Sequence, residues 1–381
     1  MLHTPGRDVI ISLLTIGDGD AVWEMFGHTA IRIRDTVDGR DTVFNWGAFD
    51  MAKPHFILHF LQGLNRYQMA GDPMDTVILN NRARNRSVTD QELALTDVQK
   101  DSIIDIIRVN AEPRNLEYWY DYFVDNCATR PRDILDHVLH GQLRAGADSV
   151  TPTSYRYHAL RLMQSGKLLV TGVDIGLGEP SDRPITKWQE MFLPEKLHDW
   201  IATKQVRDSS AALRPLVRRE QVLLRATRPA EQASPPNLVA WLTLIGAALA
   251  VLFVWLGVSR HSTVASTAYA LWALACGLLG CIVLALATVT NHRFAYYNEN
   301  ILVFNPLWLA LVVLLPIFVS SGRAARATRG VVFVLASLAA LALLTHAVVL
   351  SRQTNLAVIG LALPPTFAIA YVTRRRSVRS E

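Results

Sequence analysis

The chain has 381 residues, of which 38 are Lys or Arg, 33 are Asp or Glu and three are Cys. The mean hydropathy of +0.20 is high for a soluble protein, and the long apolar runs all follow Pro235-Pro236. Residues 237–381 hold 10 basic and 2 acidic side chains, whereas residues 1–236 carry a net charge of −3. The basic excess therefore flanks apolar segments and does not indicate a nucleic-acid surface.

Residues 1–230 predict an α+β domain in which strands come first and helices second. β-branched or alternating composition predicts strands at 9–14, 28–34, 42–46 and 76–79, with Asp38-Gly39 as a hairpin turn. Helices are predicted at 54–63, at 96–110 with Thr96 as N-cap, at 134–139, and over most of 193–224. Residues 231–236 then form a short linker.

Five apolar runs predict a transmembrane domain at 237–373, namely 237–258, 264–289, 301–320, 330–350 and 355–373, followed by a basic tail at 374–381. Each run is near the roughly 20 residues that cross a bilayer. Eight arginines flank one side of the runs (Arg260, Arg323, Arg326, Arg329, Arg374, Arg375, Arg376 and Arg379), against Arg293 and Arg352 on the other. The positive-inside rule therefore predicts an N-terminal domain outside the cytoplasm and a cytoplasmic C-terminus.

The loop at 290–300 falls on the outer side in this topology and holds His292, Asn298 and Glu299. These polar residues are either interfacial anchors or ligands of a substrate head group, which would make the membrane domain part of the active site. Residues 1–15 lack the basic region, long apolar stretch and cleavage site of a secretory signal, so we expect a signal peptide to be missing from this N-terminus.

Two short segments carry the residues with catalytic chemistry. FGHTA at 26–30 enters a strand, and DNCATR at 125–130 leads into a helix. A Cys at the start of a helix is expected to have a lowered pKa, and a His beside it can accept its proton. We therefore predict a Cys127–His28 pair, with Asn45 on the next strand holding the His28 ring.

The neighbours of Cys127 allow more than one interpretation. Asn126, Arg130 and Arg132 are candidate ligands of an oxyanion or an anionic head group, although the two arginines could equally form a surface ion network with Asp133. Pro131 would clash with the Cys127 carbonyl if Cys127 opened the helix, so the helix is expected to begin nearer Arg130.

Other site types find no support in the sequence. Close-spaced zinc ligands, a P-loop, a dinucleotide fingerprint and a Gly-x-Ser-x-Gly elbow are all missing from it. We therefore predict no metal and no cofactor.

The sequence resembles the Lnb-type lipoprotein N-acyltransferases through FGHTAIR at 26–32, DNCATRPRD at 125–133 and further segments at 44–63, 172–197 and 291–307. That family is similar to the circularly permuted papain-like (NlpC/P60-like) thiol enzymes, in which the His precedes the Cys. The resemblance implies a multi-pass protein of the bacterial inner membrane. Its expected partners are diacylglyceryl-modified lipoproteins or membrane lipids and the bilayer, with no nucleic acid.

The resemblance also implies a reaction. An ester-linked acyl chain would move from the sn-2 position of a diacylglyceryl lipoprotein to the α-amine of its N-terminal Cys, with Cys127 as nucleophile and His28 as acid and base. Two alternatives remain open: a thiol peptidase, amidase or phospholipid acylhydrolase of the cell envelope, or a non-enzymatic envelope-binding module. The His28 and Cys127 pair argues against the module, and the membrane helices argue against a plain wall peptidase.

Overall fold

The structure, a computed structural model, describes residues 4–207, 211–259, 262–317, 322–348 and 350–378. Several residues used in the sequence predictions lie outside these ranges: Arg260, Val349, residues 318–320, and residues 379–381, which include Arg379. The chain forms two compact units: unit 1 is Met1–Tyr155 with Pro184–Gln232, and unit 2 is Arg156–Arg183 with Ala233–Glu381. The segment Arg156–Arg183, predicted as part of the N-terminal domain, thus packs with the C-terminal helices.

Strands occur in the described part of unit 1. They are β1 (Val9–Ile16), β2 (His28–Asp35), β3 (Asp41–Ala48), β4 (Arg66–Pro73), β5 (Val88–Leu93), β6 (Glu117–Trp119), β7 (Val150–Ser154), β8 (Pro184–Thr186), β9 (Gln205–Arg207), β10 (Leu213–Pro215) and β11 (Val217–Leu224). Seven of them form one sheet in the order β11-β5-β1-β2-β3-β4-β6, and each neighbouring pair is antiparallel.

Helices occur in both units. They are α1 (Phe56–Leu61), α2 (Met74–Ala83), α3 (Asp97–Asn110), α4 (Thr129–Val138), α5 (Tyr155–Leu162), α6 (Lys167–Gly176), α7 (Lys187–Glu190), α8 (Pro194–Thr203), α9 (Leu238–Val258), α10 (Ser262–Thr288), α11 (Trp308–Ile317), α12 (Gly322–Ala347) and α13 (Leu356–Val378). The predicted N-cap of α3 is confirmed, because Thr96 and Gln99 form a reciprocal capping box.

The large sheet of unit 1 is covered on both faces. Successive side chains of a strand point to opposite sides, so Ile11 and Leu13 of β1 enter one core and Leu14 enters another. The first core contains apolar residues of α3, α4 and α8, and the second contains residues of α2. This layered arrangement confirms the predicted α+β class, the hairpin at Asp38-Gly39 and the first three strands.

Two sequence predictions in unit 1 are wrong. The apolar run at 76–79 lies within α2, where Met74, Val77 and Asn81 are the buried positions, at helical spacing. Much of 193–224 is extended: α8 ends at Thr203, and β11 pairs with β5 at the edge of the sheet. The charged side chains of β11 resemble a helix surface in composition, but charge is also typical of an exposed edge strand.

The helices of unit 2 fall largely on the predicted apolar runs. Four of them, α9, α10, α12 and α13, are long and apolar enough to cross a membrane. The third run behaves differently, because its start forms a 3₁₀ turn at Glu299–Leu302 and α11 has ten residues within the described range. Close packing of α9 on α13 needs glycine: a Cβ atom at Gly246 would lie 2.3 Å from the Gly360 carbonyl oxygen.

Candidate active site

Cys127 lies on the tight turn between β6 and α4. The Asn126 side chain holds this turn, since its Oδ1 accepts from the backbone N–H groups of Ala128 and Thr129. Helix α4 begins at Thr129, which confirms that Cys127 precedes the helix. Pro131 then falls in the first turn, where backbone N–H groups have no acceptor within the helix, so it removes no helical hydrogen bond.

His28 is the first residue of β2, and its ring contacts the neighbouring strand. Nε2 lies 3.0 Å from Asn45 Oδ1, which is the predicted contact. The Asn45 amide is itself oriented, because its Nδ2 donates to Asp72 Oδ2 at 3.1 Å. With Oδ1 facing the ring, Nε2 carries the proton and donates it, so Nδ1 is the unprotonated nitrogen of the neutral imidazole. Asp72, on β4, is a member of this chain of contacts that the sequence did not suggest.

The turn with Cys127 lies against the strand ends that carry His28 and Asn45. The backbone N–H of Thr29, the residue after His28, lies close enough to the Cys127 thiol to lower its pKa against the larger effect of burial. A Cβ atom at Gly47, two residues after Asn45, would lie 3.8 Å from Cys127 Cβ. Gly47 adopts a φ of +98° at a bulge in β3, a conformation that favours glycine. The fold thus brings the predicted pair, more than ninety positions apart in the sequence, into one region.

The Cys127 thiol and the His28 imidazole are both neutral over the physiological range. Burial raises the pKa of the Cys127 thiol to about 11, against the opposing effect of nearby backbone N–H groups and Arg86. Burial and then the charge of Arg86 lower the pKa of His28 to about 4. The predicted lowering of the thiol pKa is therefore wrong, because Cys127 is desolvated and lies before the first turn of α4. A neutral imidazole that reaches a neutral thiol can act as a general base at the moment of attack.

Arg86 is a further charged group of this region, and no sequence motif points to it. Its side chain is only 7% exposed, and its Nε donates to the Gly17 carbonyl at 2.9 Å. Its Nη1 lies 3.4 Å from Glu24 Oε1. Nη2 is buried and has no hydrogen-bond partner among the described residues. A buried cationic donor without an acceptor, close enough to act on both Cys127 and His28, can receive a developing negative charge.

The other residues predicted near Cys127 are engaged in structural contacts. Asn126 Nδ2 donates to the carbonyls of Tyr122 and Phe192, so both ends of its amide are used. Arg130 forms a two-point ion pair with Asp125. Arg132 is buried, pairs with Asp133 and donates to the Trp188 carbonyl. These contacts agree with the ion-network alternative, and the predicted ligand role of the three residues stays a prediction.

The predicted outer-loop residues belong to unit 2. Asn298 is buried, and its Nδ2 donates to the Ile175 and Gly176 carbonyls at the end of α6. Glu299 accepts a hydrogen bond from Ser351, and its backbone N–H donates to Gln353. The backbone N–H of His292 donates to Thr290. Asn298 and Glu299 thus stabilise the packing of this loop, and a head-group role for the three residues stays a prediction.

Metal coordination has no candidate in the described ranges, where no group of three or more His, Cys, Asp or Glu side chains is arranged to hold an ion. The three cysteines are all free thiols.

Comparison with known proteins identifies both parts of the chain. The Lnb N-terminal periplasmic domain matches residues 4–161, which include His28, Asn45, Arg86 and Cys127. The Lnb transmembrane domain matches residues 229–374. No curated protein and no solved structure matches the chain. With a periplasmic domain followed by membrane-spanning helices, this membrane protein belongs to the Lnb-type family.

Proposed function

We propose that this protein is a thiol-dependent acyltransferase that moves an ester-linked acyl chain of a diacylglyceryl lipoprotein to the amine of the lipoprotein's N-terminal Cys. The observation that carries the proposal is the approach of the Cys127 turn to the strand ends of β2 and β3, where His28 is neutral and its ring is held by Asn45. The proposal includes a papain-like thiol mechanism and a location in the bacterial inner membrane with the C-terminus in the cytoplasm.

In the first half-reaction, Cys127 Sγ attacks the carbonyl carbon of the sn-2 ester. His28 Nδ1 takes the thiol proton as the S–C bond forms, because the thiol has a raised pKa and is not ionised beforehand. The tetrahedral intermediate collapses by breaking the C–O bond. His28 then gives the proton to the glycerol oxygen, which leaves as the free alcohol, and the acyl chain remains on Cys127 as a thioester.

In the second half-reaction, the α-amine of the lipoprotein's N-terminal Cys attacks the thioester. An amide bond forms, the C–S bond breaks, and a proton passes from the amine through His28 to Cys127 Sγ. The product is a lyso lipoprotein with an N-acyl chain, and the enzyme is restored. Water must be kept from the thioester for transfer to prevail over hydrolysis, and the partial burial of Cys127 and His28 favours this outcome.

Arg86 has a defined task in this scheme. The carbonyl oxygen becomes negatively charged in both tetrahedral intermediates, and the unpartnered Nη2 of Arg86 is a cationic donor that can stabilise it. The backbone N–H of Cys127, which lies next to Sγ, is the second proposed donor. Fixed donors of this kind need no reorganisation during the reaction, which is why their removal typically costs about 10²–10³ in rate.

Mass spectrometry of lipoprotein N-termini tests the proposal. Cells that carry the full-length protein are expected to show lipoproteins with an N-acyl chain and one ester-linked chain, and cells without the protein are expected to lack that form. Cys127→Ala should behave as the absence of the protein, whereas Cys281→Ala, a matched change in α10, should not. An unchanged N-acylation pattern would refute the proposal, and release of free fatty acid without N-acylation would favour a phospholipid acylhydrolase.

A further inference from the structure

Helix α1 presents apolar side chains on every side, and none of its six residues is buried. Ile57 is 73% exposed and Leu58 is 51% exposed. Other large exposed apolar side chains are Met51, which precedes α1, and Trp23. We refer to these as the α1 surface, defined by Trp23, Met51, Ile57, Leu58, Phe60 and Leu61. Trp23 lies near α1 through Phe49, whose ring centroid is 5.9 Å from that of Trp23 and 5.6 Å from that of Phe56. Exposed apolar side chains grouped around one helix mark a contact with a membrane, a protein or an apolar ligand.

A series of aromatic contacts connects the α1 surface with the thiol. The Phe60 ring lies 6.3 Å from the Tyr122 ring, and Tyr122 lies 5.9 Å from Tyr120, measured between centroids. A Cβ atom at Gly47 would lie 3.3 Å from Tyr120 Cε2 and 3.8 Å from Cys127 Cβ. Because Gly47 has no side chain, the Tyr120 ring and Cys127 can both approach the same point of β3, so the aromatic contacts lead to the nucleophile.

The composition around α1 favours lipid over a protein partner. Residues 51–66 contain Lys53, His55, His59 and Arg66 and no acidic residue. Lys53 and Arg66 share one acidic partner, Glu117, so these three side chains together keep one positive charge, which suits the surface of an anionic bilayer. A Trp beside aliphatic side chains is typical of membrane–water interfaces. The chain also tethers this domain to a bilayer, since 13 residues separate the end of β11 from the start of α9. Fully extended, they span at most about 45 Å.

We propose that the α1 surface inserts into the lipid of the periplasm-facing leaflet and admits an acyl chain along the aromatic contacts to Cys127. The first half, membrane insertion, is independent of the reaction. The second half rests on the proposed acyl transfer. The aromatic rings offer a water-poor path for a hydrocarbon chain, so a lipid substrate need not leave the bilayer fully before its ester meets the thiol.

Fluorescence quenching tests the insertion. The full-length chain with Cys127→Ser, Cys276→Ala and Cys281→Ala is labelled with an environment-sensitive fluorophore at Ile57→Cys and reconstituted in phosphatidylethanolamine–phosphatidylglycerol vesicles that contain nitroxide-labelled lipid. We expect at least a twofold loss of fluorescence. The matched control, Val98→Cys on α3, is equally exposed at 74% and should lose less than a tenth. Equal quenching at both positions would overturn the proposal. Protection of the Ile57→Cys label from iodide without quenching by the lipid would also overturn it, in favour of a protein partner.

A kinetic comparison tests the acyl path separately. Acylation of Cys127 is followed with a vesicle-borne diacylglyceryl peptide and with a short water-soluble ester. The double variant Ile57→Asn, Leu61→Asn is expected to lower the ratio of the vesicle rate to the short-ester rate at least tenfold. The double control Val98→Asn, Val109→Asn on α3 should leave the ratio unchanged, and an equal ratio in both variants would overturn the path. If no acylation of Cys127 occurs with either substrate, the proposed reaction fails, whereas the quenching result still decides the insertion.

Discussion

Two groups of buried polar side chains, one in each unit, satisfy their hydrogen bonds to different degrees. In unit 2, Asn298 and Asn300 both donate to the Ile175 carbonyl, and their own side-chain oxygens accept from Gln353 and Asn355. In unit 1, the region of Cys127 retains unused capacity: Arg86 Nη2 and the Thr29 hydroxyl are buried without a partner among the described residues.

This difference indicates that the Asn298–Asn300 network stabilises the fold, whereas the region of Cys127 is suited to chemistry. A buried polar group without a partner costs about 1–3 kcal/mol, so paired groups are expected wherever only stability matters. The network of unit 2 meets that expectation and joins α6 to the loop before α11. A donor left unpaired beside a thiol and an imidazole is explained when a reacting carbonyl supplies the missing acceptor.

Replacing His28 is expected to have the largest effect on the chemistry of unit 1. With His28→Ala the thiol, whose pKa is about 11, loses its base, and kcat should fall on the order of 10³-fold. The measurement is the rate of N-acylation of a diacylglyceryl peptide by the full-length protein. His137→Ala, a change of an exposed His on α4, is the control. Comparable rates for the two variants would remove His28 from the mechanism.

The protonation state of Cys127 gives a pH test. Because the folded thiol has a pKa of about 11, its thiolate fraction rises with pH and remains small at neutrality. The rate of alkylation by iodoacetamide should therefore rise about tenfold per pH unit between roughly pH 7 and pH 10. A plateau that begins below pH 8 would show a preformed thiolate and contradict the neutral pair.

Arg86 tests whether the unpaired donor matters. Arg86→Gln removes the charge that we propose stabilises the oxyanion, and kcat is expected to fall about 10²-fold. The Arg86 charge also lowers the pKa of His28, so its loss should move the acidic limb of the rate profile to higher pH. Arg84 pairs with the same Glu24, but its side chain is 59% exposed. Arg84→Gln should therefore change neither kcat nor the acidic limb of the rate profile. Identical kcat values and pH profiles in the two variants would assign Arg86 to structure alone.

Asn45→Ala is expected to have a smaller effect, about tenfold on kcat, because the His28 ring loses the acceptor of its Nε2–H but keeps its position at the start of β2. Asp72→Asn should cost less, since its side-chain oxygen can still accept from Asn45. Wild-type kcat in Asn45→Ala would exclude Asn45 as the residue that orients His28.

A substitution in the Asn298–Asn300 network of unit 2 should lower the stability of the protein and leave its reaction rate unchanged. Asn300→Ala leaves the Asn355 amide and a share of the Ile175 carbonyl unpaired, which is expected to cost about 1–3 kcal/mol of the free energy of unfolding. Thermal unfolding in detergent measures this loss. The N-acylation rate per folded molecule should stay unchanged, and a loss of rate without a loss of stability would contradict the structural assignment.

Features of the protein that have a local sequence signal can be predicted from the sequence. The thiol, its histidine and Asn45 stand out because each residue type carries chemistry within a recognisable strand or turn, and the apolar runs mark the membrane helices. Arg86 has no such signal, because its role depends on burial between Gly17 and Glu24, which only the fold brings about. The raised thiol pKa was missed for the same reason, since desolvation depends on tertiary packing.

Segment boundaries were harder to predict than the site. Charged β11 resembles the surface of a helix until its pairing with β5 is known. The segment Arg156–Arg183 is continuous in sequence with the strands of unit 1, but buried contacts such as those from Asn298 and Asn300 to Ile175 assign it to unit 2. Such long-range polar pairs leave no periodic pattern in either partner segment.

Trapping the acyl group on Cys127 tests the central claim most directly. The purified full-length protein is mixed with a diacylglyceryl peptide whose N-terminal amine is acetylated, so that the second half-reaction has no acceptor, and is then quenched in acid. Peptide mass spectrometry is predicted to find one acyl chain on the Cys127 peptide, removable by hydroxylamine and absent in His28→Ala at the same time point. A Cys127 peptide that stays unmodified while the peptide substrate loses its sn-2 chain would contradict the account.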